Sequence, residues 1–487
     1  MSGSLSASIA TVLEDDLSSS DVVSQTDQTR SRGCHSYVAP ERPAPTKNAC
    51  NATGTDDDSR KACVSTNISN LRLSGIPMAG FEVIPIMTPG GCSLPAYQWE
   101  WFVEISDDQR WMKVSEGLTF IPESEHVGRK IKVKCVPCAG QEDGPREVIS
   151  EYAIAEGPKY GGMSQRHHTT ADFLQSRDQL RIITYNILFD AYLRRDSPAD
   201  YRYCATHVLE ESFRQQLVLK EVKRYHGDIL CFQEVGPNVY TTYLQPALNA
   251  AGYEGVFTSK PNEFREGLAM FYRTDKIQLK QSSIIIMKDV LISDNAFSSL
   301  RVILQRHFAD VFQLVCSLDH VCQVVIFSNG ARSFMVLNTH LYWTVDFEFV
   351  PLIQVYIIFH CIDLMRKELG LEGAGIVFAG DLNNQPNSDT YRYINEGKFQ
   401  LGKGTKDQIH LHHSLRLTNA TGTPRYSCVL DHTQFLLDYV YVNSYFSVLQ
   451  CIPLPTEEEL EQDGKFVLPS SRFGSDHLAI GVDVEMV

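Results

Sequence analysis

The stretch GIVFAGDLNNQP, residues 375–386, ends a run of apolar residues with an acid and an amide. Asp381 and Asn383 stand two positions apart, and side chains at such positions of an extended chain leave the same face. Oxygen-bearing groups at the end of a strand suit a hard cation or a phosphate. A simple turn explains the same residues, because Asp, Asn, Gly and Pro are common where strands end. Taken alone, the stretch favours the turn.

Polar groups of the same kind occur in or after five other apolar runs. Buried polar groups are costly unless they are paired or bound to a metal. Hydrolysis of a phosphodiester by water requires ligands for a cation, a base, and donors to the developing charge, and these residue types supply all three. Each residue alone has a plainer explanation, such as a turn acid or a hydrogen-bonded core histidine. The residues are Asn186, Glu234, Asn338, His340, Asp438, Asp476 and His477.

The part of the chain that carries these residues, from Arg181 onwards, alternates short apolar runs with longer amphipathic segments. RIITYNIL, DILCFQEV, GLAMFYR, FMVLNTHLYW, GIVFAGDLN and LLDYVYVN each predict a buried strand. Helical spacing is present in ESFRQQLVLKEVKRYH and FVPLIQVYIIFHCIDLMRKEL. Strands interleaved with helices over about 300 residues predict one large α/β domain.

The residues before this domain predict a smaller β-rich unit. YQWEWFV and GRKIKVKCVP alternate apolar and polar residues, as the strands of a small antiparallel β-sandwich do. The first residues are polar and lack periodicity, which is typical of disorder. The predicted organisation is a disordered segment at 1–68, a β-sandwich domain at 70–157, a linker at 158–178 and the α/β domain at 179–487.

Composition limits the partners that the chain can have. The formal charge of −15 argues against a general surface that coats nucleic acid or anionic membrane, so a phosphate-rich ligand must meet a local basic patch or a metal. Thirteen cysteines without disulfide spacing and without a signal peptide indicate a reducing, intracellular compartment. No run approaches the roughly 18 apolar residues of a membrane span, so we expect no membrane partner.

Seven motifs in a fixed order carry a resemblance to a known family. YNIL, QEV, EGLAMFYR, NTHLYW, GDLN, LDYV and SDH resemble the endonuclease/exonuclease/phosphatase superfamily, and within it they look most like the branch of the deadenylases and 2′,5′-phosphodiesterases. The resemblance implies a four-layer α/β sandwich, with two sheets face to face and helices outside. It implies Mg²⁺ as the cofactor, with Mn²⁺ as an alternative. It also implies the mitochondrial matrix, whereas the acidic N-terminus favours the cytoplasm.

The resemblance further implies a role for residues of these motifs. Asp381 would be the general base that positions the attacking water, and Asn383 would bind the scissile phosphate. His477, oriented by Asp438, would stabilise the developing charge or serve the leaving oxygen, and His340 would contact the phosphate. The expected metal ligands are Glu234, Asn186, Asp381 and Asp476. The expected substrate contacts are Asn338, Arg273, Tyr426 and Phe435.

Two segments depart from the family pattern near the place where a nucleic-acid strand is expected. Residues 344–349, TVDFEF, are acidic and apolar where the family usually has a histidine, glycines and a basic residue. Ser427 and Cys428 stand where the family has Thr-Asn. Tyr426 or Phe435 could stack on adenine, which contributes about 1 to 3 kcal/mol per base, although core packing explains them equally well. The cations that could compensate are Arg194, Arg195, Arg202 and Arg273.

The sequence therefore predicts a Mg²⁺-dependent exoribonuclease whose partner is RNA or oligoadenylate. It would remove AMP from oligoadenylates, either 2′,5′-linked or at the 3′ end of poly(A). A phosphatase of phosphorylated lipids or nucleotide cofactors is the alternative within the superfamily. An inactive RNA-binding module is the alternative outside catalysis, although binding alone needs no base beside a metal. The sequence identifies no protein partner and does not decide between the two linkages.

Overall fold

The structure is a computed structural model of the chain. The segment 1–68, which the sequence predicts to be disordered, lies outside the residues that the structure describes. Arg195, Arg202 and the side chain of Arg194 also lie outside them. The described residues are 69–73, 75–88, 97–106, 110–137, 144–158, 164–194, 201, 203–343, 347–402, 408–430, 433–462 and 465–487.

Six short strands build the N-terminal β-rich part. They are β1 (Ser69–Leu73), β2 (Pro85–Thr88), β3 (Tyr97–Ser106), β4 (Arg110–Glu116), β5 (Ile131–Pro137) and β6 (Arg146–Ile149). Strands β1 and β2 pair with each other, and the remaining four form an antiparallel sheet of order β4-β3-β5-β6. Alternate residues of β3, such as Trp99 and Trp101, pack with Val133 of β5 in one apolar cluster. Small antiparallel sheets are therefore present where the sequence predicts them.

The larger domain contains two six-stranded mixed sheets. Their orders are β21-β24-β7-β8-β10-β9 and β11-β12-β13-β14-β20-β17, and β7-β8 and β13-β14 are parallel pairs. The strands are β7 (Gln179–Asn186), β8 (Ile229–Val235), β9 (Tyr253–Ser259), β10 (Gly267–Arg273), β11 (Gln278–Ile286), β12 (Val321–Asn329), β13 (Arg332–His340), β14 (Gly375–Asp381), β15 (Lys398–Leu401), β16 (Ile409–His412), β17 (Thr418–Asn419), β18 (Cys428–Leu430), β19 (Thr433–Phe435), β20 (Asp438–Val442), β21 (Phe446–Cys451), β22 (Glu461–Gln462), β23 (Lys465–Phe466) and β24 (Ile480–Met486).

Helices connect these strands and lie outside the sheets. The six predicted strands and both predicted long helices are present in the structure. The helices are α1 (Ser164–Thr169), α2 (Asp190–Arg194), α3 (Thr206–Leu209), α4 (Glu211–Arg224), α5 (Pro237–Val239), α6 (Gln245–Ala250), α7 (Met287–Ser293), α8 (Ser298–His307), α9 (Ala309–Ser317), α10 (Phe349–Glu368), α11 (Asp389–Glu396) and α12 (Glu457–Leu460).

The two sheets pack face to face, and helices cover their outer surfaces. Along β7, Ile182 belongs to the apolar cluster between the sheets, whereas Ile183 belongs to the cluster shared with α4. Along β14, Val377 faces the first sheet and Ile376 packs in the cluster that contains α10. Because both faces of these strands are covered, their sequences are continuously apolar. The larger domain is the four-layer α/β sandwich that the family resemblance implies.

Helix α10 is long and apolar enough to cross a membrane, by length and composition. The prediction that no run approaches a membrane span is therefore wrong for this segment. However, 72% of its most apolar stretch is buried inside the fold. Residues such as Ile353, Ile357 and Ile358 pack against the second sheet. We therefore interpret α10 as a core helix, which is apolar on all sides because it is covered on most of them.

The predicted linker at 158–178 contains helix α1, which packs against the larger domain. Arg166 of this helix is buried, and its guanidinium donates a hydrogen bond to the carbonyl of Ala479. The guanidinium also lies 3.5 Å from Glu221 Oε1 and over the ring of Tyr225. This part of the segment is therefore held by a buried charge pair and a cation–π contact.

Candidate active site

Strand register brings the predicted polar residues to one end of the two sheets. His340 ends β13 opposite Asp381 of β14, and Asp381 lies opposite Asp438 of β20. In the other sheet, Asn186 ends β7 beside the end of β8, which carries Glu234. The sheets face each other, so the two groups of residues converge across the mouth of the sandwich.

The amide of Asn186 joins a carboxylate from each sheet. Its Nδ2 donates to Glu234 Oε1 at 2.9 Å and to Asp381 Oδ2 at 3.1 Å. The backbone N–H of Phe189 donates to the second oxygen of Glu234 at 2.8 Å. Asn186 Oδ1 accepts a hydrogen bond from the Leu188 N–H. In this arrangement Asn186 fixes the position of both acids, and the prediction that it also binds metal stays a prediction.

The backbone around this amide adopts conformations that side chains disfavour. Leu188, Glu234 and Asn383 have positive φ angles of 61°, 57° and 49°. Gly380, directly before Asp381, has a φ of 145°, and a Cβ there would collide with the carbonyl oxygen of Thr339. Non-glycine residues in this region cost on the order of 1 to 3 kcal/mol each and cluster at functional sites. The strain is therefore concentrated around the two central acids.

A histidine and an aspartate lie on the other side of Asp381. His477 Nδ1 is 2.8 Å from Asp438 Oδ2, and His477 Nε2 is 3.6 Å from Asp381 Oδ2. Ser427 fixes the aspartate, because its hydroxyl donates to Asp438 Oδ2 at 2.7 Å and accepts the N–H groups of Leu437 and Asp438. The carboxylate holds the imidazole in one orientation, with Nε2 directed towards Asp381.

Burial and neighbouring charges shift the pKa values of this cluster. Burial raises the pKa of Asp381 to about 7, against the opposing influence of His477. Burial, with the carboxylates of Glu266 and Asp476, raises the pKa of Glu234 to about 7. Burial disfavours the charged form of His477, but Cys428, Asp438 and Asp381 outweigh it and raise the pKa of that imidazole well above its usual value. Perturbed acids and bases in one place are typical of a reaction centre.

His340 has the opposite electrostatic environment. Its Nε2 lies 3.6 Å from Asp381 Oδ2 and its Nδ1 lies 3.9 Å from Glu234 Oε1. Burial, with the nearby cation of Lys260, lowers the pKa of His340 well below its usual value. A neutral imidazole and a charged one therefore each lie 3.6 Å from the same carboxylate oxygen, Oδ2 of Asp381.

The donor set fits a divalent cation. The carboxylates of Glu234 and Asp381 are held together on one amide, and burial raises the pKa of both. Asp476 lies near them, and its Oδ2 accepts a hydrogen bond from Tyr201 at 2.7 Å. Carboxylate oxygens are the ligands that hard cations prefer. Glu234, Asp381 and Asp476 are the residues that could hold such an ion.

Asn383 lies at the site, and its side-chain amide already donates one hydrogen bond within the protein. Its Nδ2 donates to the carbonyl of Leu341 at 2.9 Å, and its backbone N–H donates to Asp381 Oδ1 at 3.0 Å. The side chain is half-buried, so the amide remains accessible beside the general-base candidate. Contact with a phosphate stays a prediction.

Two of the predicted substrate contacts are wrong. Asn338 is fully buried, and its Nδ2 donates to the carbonyls of Phe232 and Ala269 while Oδ1 accepts from Gln233. It shares a strand face with His340 but lies two residues deeper, where the other sheet covers it. Arg273 lies at the opposite end of the sheet from Glu234, because β10 runs antiparallel to β8. Its guanidinium pairs with Asp275 there and stacks on Phe173.

The two aromatic candidates have different environments. Tyr426 is buried among Leu460, Leu468 and Phe473, which supports the alternative that it packs in a core. Phe435 is half-buried at the end of β19, and its backbone pairs with Cys428. Cys428 in turn bridges to His477. Phe435 is thus close to the site in the fold, and stacking on a base stays a prediction for it.

Other residues of the site were not predicted from the sequence. Lys260 and Glu266 form a buried ion pair whose charges act on His340 and Glu234 respectively. The signal for this pair was the glutamate that begins the EGLAMFYR motif and a lysine six positions before it. Ser427, Ser475 and Tyr201 position the acids through hydroxyl groups, and such contacts across the sequence leave no local pattern.

The comparison with known protein families agrees with this geometry. Residues 183–477 match the Endonuclease/Exonuclease/phosphatase family. The chain belongs to this family. The matched range contains every residue of the cluster, from Asn186 to His477.

Individual relatives share less of their length with the chain. It is 32% identical to 2′,5′-phosphodiesterase 12 of Bos taurus over 381 residues, which are 75% of this chain and 61% of that protein. It is 24% identical to the CCR4-Not complex 3′-5′-exoribonuclease subunit Ccr4 of Saccharomyces cerevisiae, over 66% of this chain and 40% of that protein. The chain thus spans less than two thirds of the length of either relative.

A solved structure supports the fold. The crystal structure of ANGEL2, a 2′,3′-cyclic phosphatase, in complex with adenosine-2′,3′-vanadate superposes with a TM-score of 0.52 and 22% sequence identity. The similarity covers 63% of this chain and 96% of that one. At this identity the likeness concerns the four-layer architecture and not the substrate.

Proposed function

We propose that the chain is a Mg²⁺-dependent phosphodiesterase that releases AMP from oligoadenylates, either 2′,5′-linked or at the 3′ end of poly(A). One observation carries the proposal: Asp381 Oδ2 lies 3.1 Å from the amide that holds Glu234 and 3.6 Å from the imidazole that Asp438 holds. Glu234 as the proposed metal ligand, Asp381 as the proposed base and His477 as a cationic donor are therefore grouped around Oδ2 of Asp381. The activities in the names of 2′,5′-phosphodiesterase 12 and of the 3′-5′-exoribonuclease subunit Ccr4 support the same class of reaction.

Asp381 is suited to accept a proton from water. Its pKa is raised to about 7, so it gains and loses a proton near neutral pH, where general-base catalysis is most effective. A water between Asp381 and a phosphate would be deprotonated as it attacks phosphorus. A divalent cation on Glu234 would supply Lewis-acid stabilisation of the phosphoryl oxygens when it is bound.

The two histidines supply different hydrogen bonds. His477 stays protonated because its pKa is raised, so its Nε2–H faces the developing charge or the leaving oxygen as a cationic donor. His340 stays neutral because its pKa is lowered, and it orients the phosphate without adding charge. Asp438, which Ser427 holds, keeps the ring of His477 in its working orientation.

Substrate grip should depend on few phosphates. The chain carries a formal charge of −15, and Arg273 lies far from the site, so long-range neutralisation of an RNA backbone is weak. Binding then depends on stacking of the terminal adenines, for which Phe435 is the candidate. We expect trimers to pentamers to be cleaved within about tenfold of long poly(A), with a salt slope of only about 2 to 3 in the logarithm of affinity.

Resolving products by length tests this proposal. Purified protein with Mg²⁺ should shorten end-labelled 2′,5′- and 3′,5′-oligoadenylates one AMP at a time, and oligocytidylate should be a much poorer substrate. Release of inorganic phosphate without shortening would instead identify a phosphatase. Binding without any product would identify an inactive module, and equal cleavage of all four homopolymers would remove the preference for adenylate.

A further inference from the structure

A thiol lies beside the proposed catalytic histidine, at the position where the sequence departs from its family. Cys428 begins β18 and bridges to His477 through the backbone. Ligand atoms of Cys428, Asp476 and His477 all lie within 4.8 Å of one another, and the three residues are buried. A sulfur, an oxygen and a nitrogen donor therefore converge on one point.

This donor set differs in kind from the carboxylates that suit Mg²⁺. Zinc binds thiolate sulfur at about 2.3 Å, imidazole nitrogen at about 2.0 Å and carboxylate oxygen at about 2.1 Å, in a tetrahedron with donors about 3.5 Å apart. Small side-chain rotations would bring the three ligand atoms from within 4.8 Å to that spacing. Soft sulfur selects zinc over Mg²⁺, and three protein ligands leave a fourth position for water.

The surroundings of the cluster are arranged as they are around a metal-bound histidine. Asp438, which the Ser427 hydroxyl holds, pairs with Nδ1 of His477, and this leaves Nε2 as the nitrogen that can bind an ion. In addition, Asp438 Oδ1 is buried and has no hydrogen-bond partner in the described part of the chain. A buried hydrogen-bond acceptor beside His477 is therefore left unsatisfied by the described protein groups.

We propose that Cys428, Asp476 and His477 form a zinc site whose occupation inhibits the enzyme. Two protons leave to solvent, one from the thiol as the zinc–sulfur bond forms and one from Nε2 of the His477 imidazolium as the zinc–nitrogen bond forms, and no electron is transferred. A zinc ion on Nε2 of His477 removes the cationic donor from the reaction. The inhibition rests on the proposed hydrolysis, whereas the binding of the ion does not.

Cobalt(II) provides a readout that is independent of activity. Added Co²⁺ should give the full-length chain a thiolate-to-cobalt charge-transfer absorption in the near ultraviolet, and Zn²⁺ should displace it. Cys428→Ser should lose this band, whereas Cys451→Ser, which changes an exposed cysteine on the edge strand β21, should keep it. A wild-type chain without the band, or an equal band in Cys428→Ser, would overturn the site.

Inhibition is tested on Cys428→Asn, the residue of the family. The rate of each protein is normalised to its own rate without zinc. The zinc concentration that gives half-inhibition should then be at least about tenfold higher in the variant than in the wild type. Circular dichroism would confirm that both chains are folded. Equal inhibition despite a cobalt band lost from the variant would overturn the inhibitory role. If no hydrolysis is found at all, the proposed function fails while the cobalt measurement still decides the zinc site.

Discussion

His477 Nδ1 lies 2.8 Å from Asp438 Oδ2, and both residues are buried at the mouth of the sheet sandwich. The contact fixes the ring so that its other nitrogen points to Asp381, 3.6 Å away. One imidazole is therefore held between two carboxylates, that of Asp438 and that of Asp381, the proposed base. This arrangement makes the protonation state of His477 the property on which activity depends at high pH.

Asp438→Asn should move the loss of activity at alkaline pH to lower values. A histidine with a raised pKa stays protonated to higher pH, and activity that needs imidazolium falls as pH rises through that pKa. Without the carboxylate the pKa drops, so the fall begins earlier. Turnover number against pH, from about pH 5 to about pH 10, measures the shift.

Asp275→Asn is the matched control, because Asp275 is an exposed acid at the far end of the sheet. Its pH profile should coincide with that of the wild type. An unchanged alkaline limb in Asp438→Asn would show that His477 acts as a neutral group, or that it does not act at all.

Glu234→Gln should alter how the stability of the metal-free chain depends on pH. Glu234 has a pKa raised from 4.5 to about 7, so the folded chain binds a proton that the unfolded chain releases in this window. The free energy of unfolding therefore falls as pH rises from about 4.5 to about 7. Over this pH range the free energy of unfolding should therefore fall less in the variant than in the wild type, by on the order of 1 to 3 kcal/mol.

Urea unfolding with a chelator at about pH 4.5 and about pH 8 measures this difference, because a constant cost of the substitution cancels between the two conditions. Mg²⁺ should stabilise the wild type at the higher pH and have a weaker effect on the variant. Glu254→Gln, which changes an exposed carboxylate on β9, is the control. If the free energy of unfolding depends on pH identically in the wild type and in Glu234→Gln, the group with the raised pKa is not Glu234.

Asn338→Ala should destabilise the fold and leave substrate affinity unchanged. The substitution removes an amide that donates to two backbone carbonyls between the sheets, and buried acceptors left without a donor cost about 1 to 3 kcal/mol each. Denaturant unfolding gives the stability, and the KM for short oligoadenylates gives the affinity. A raised KM with unchanged stability would return Asn338 to the substrate site.

The sequence reveals those features that depend on local pattern. Apolar runs of strand length, interrupted by helical spacing, are sufficient to predict the α/β domain and its six principal strands. Asp381 and His340 were predicted because each ends such a run, and Asp438 because it follows Leu436 and Leu437 near the start of another. Adjacent strands then place them side by side, as the registers of β13, β14 and β20 show.

The same pattern does not show how deeply a residue is buried, in which direction a strand runs, or which residues distant in sequence contact each other. Spacing of two predicted the face of Asn338 correctly, but it gives no information on how far the opposite sheet extends over it. Arg273 was wrongly predicted to contact substrate because neither apolar run shows that β10 pairs antiparallel to β8. Ser427 reaches Asp438 through a hairpin turn, and Lys260 reaches His340 from another sheet, so both depend on tertiary structure.

Water labelled with ¹⁸O tests the central role of Asp381 most directly. With Mg²⁺ and a short oligoadenylate, mass spectrometry should find one ¹⁸O in the phosphate of the released 5′-AMP, because water attacks phosphorus and the ribose oxygen leaves. Asp381→Asn should lower this labelled product by at least about a thousandfold, since it removes the base and its charge. Unlabelled AMP, a cyclic phosphate product, or more than about a tenth of wild-type turnover in Asp381→Asn would contradict the account.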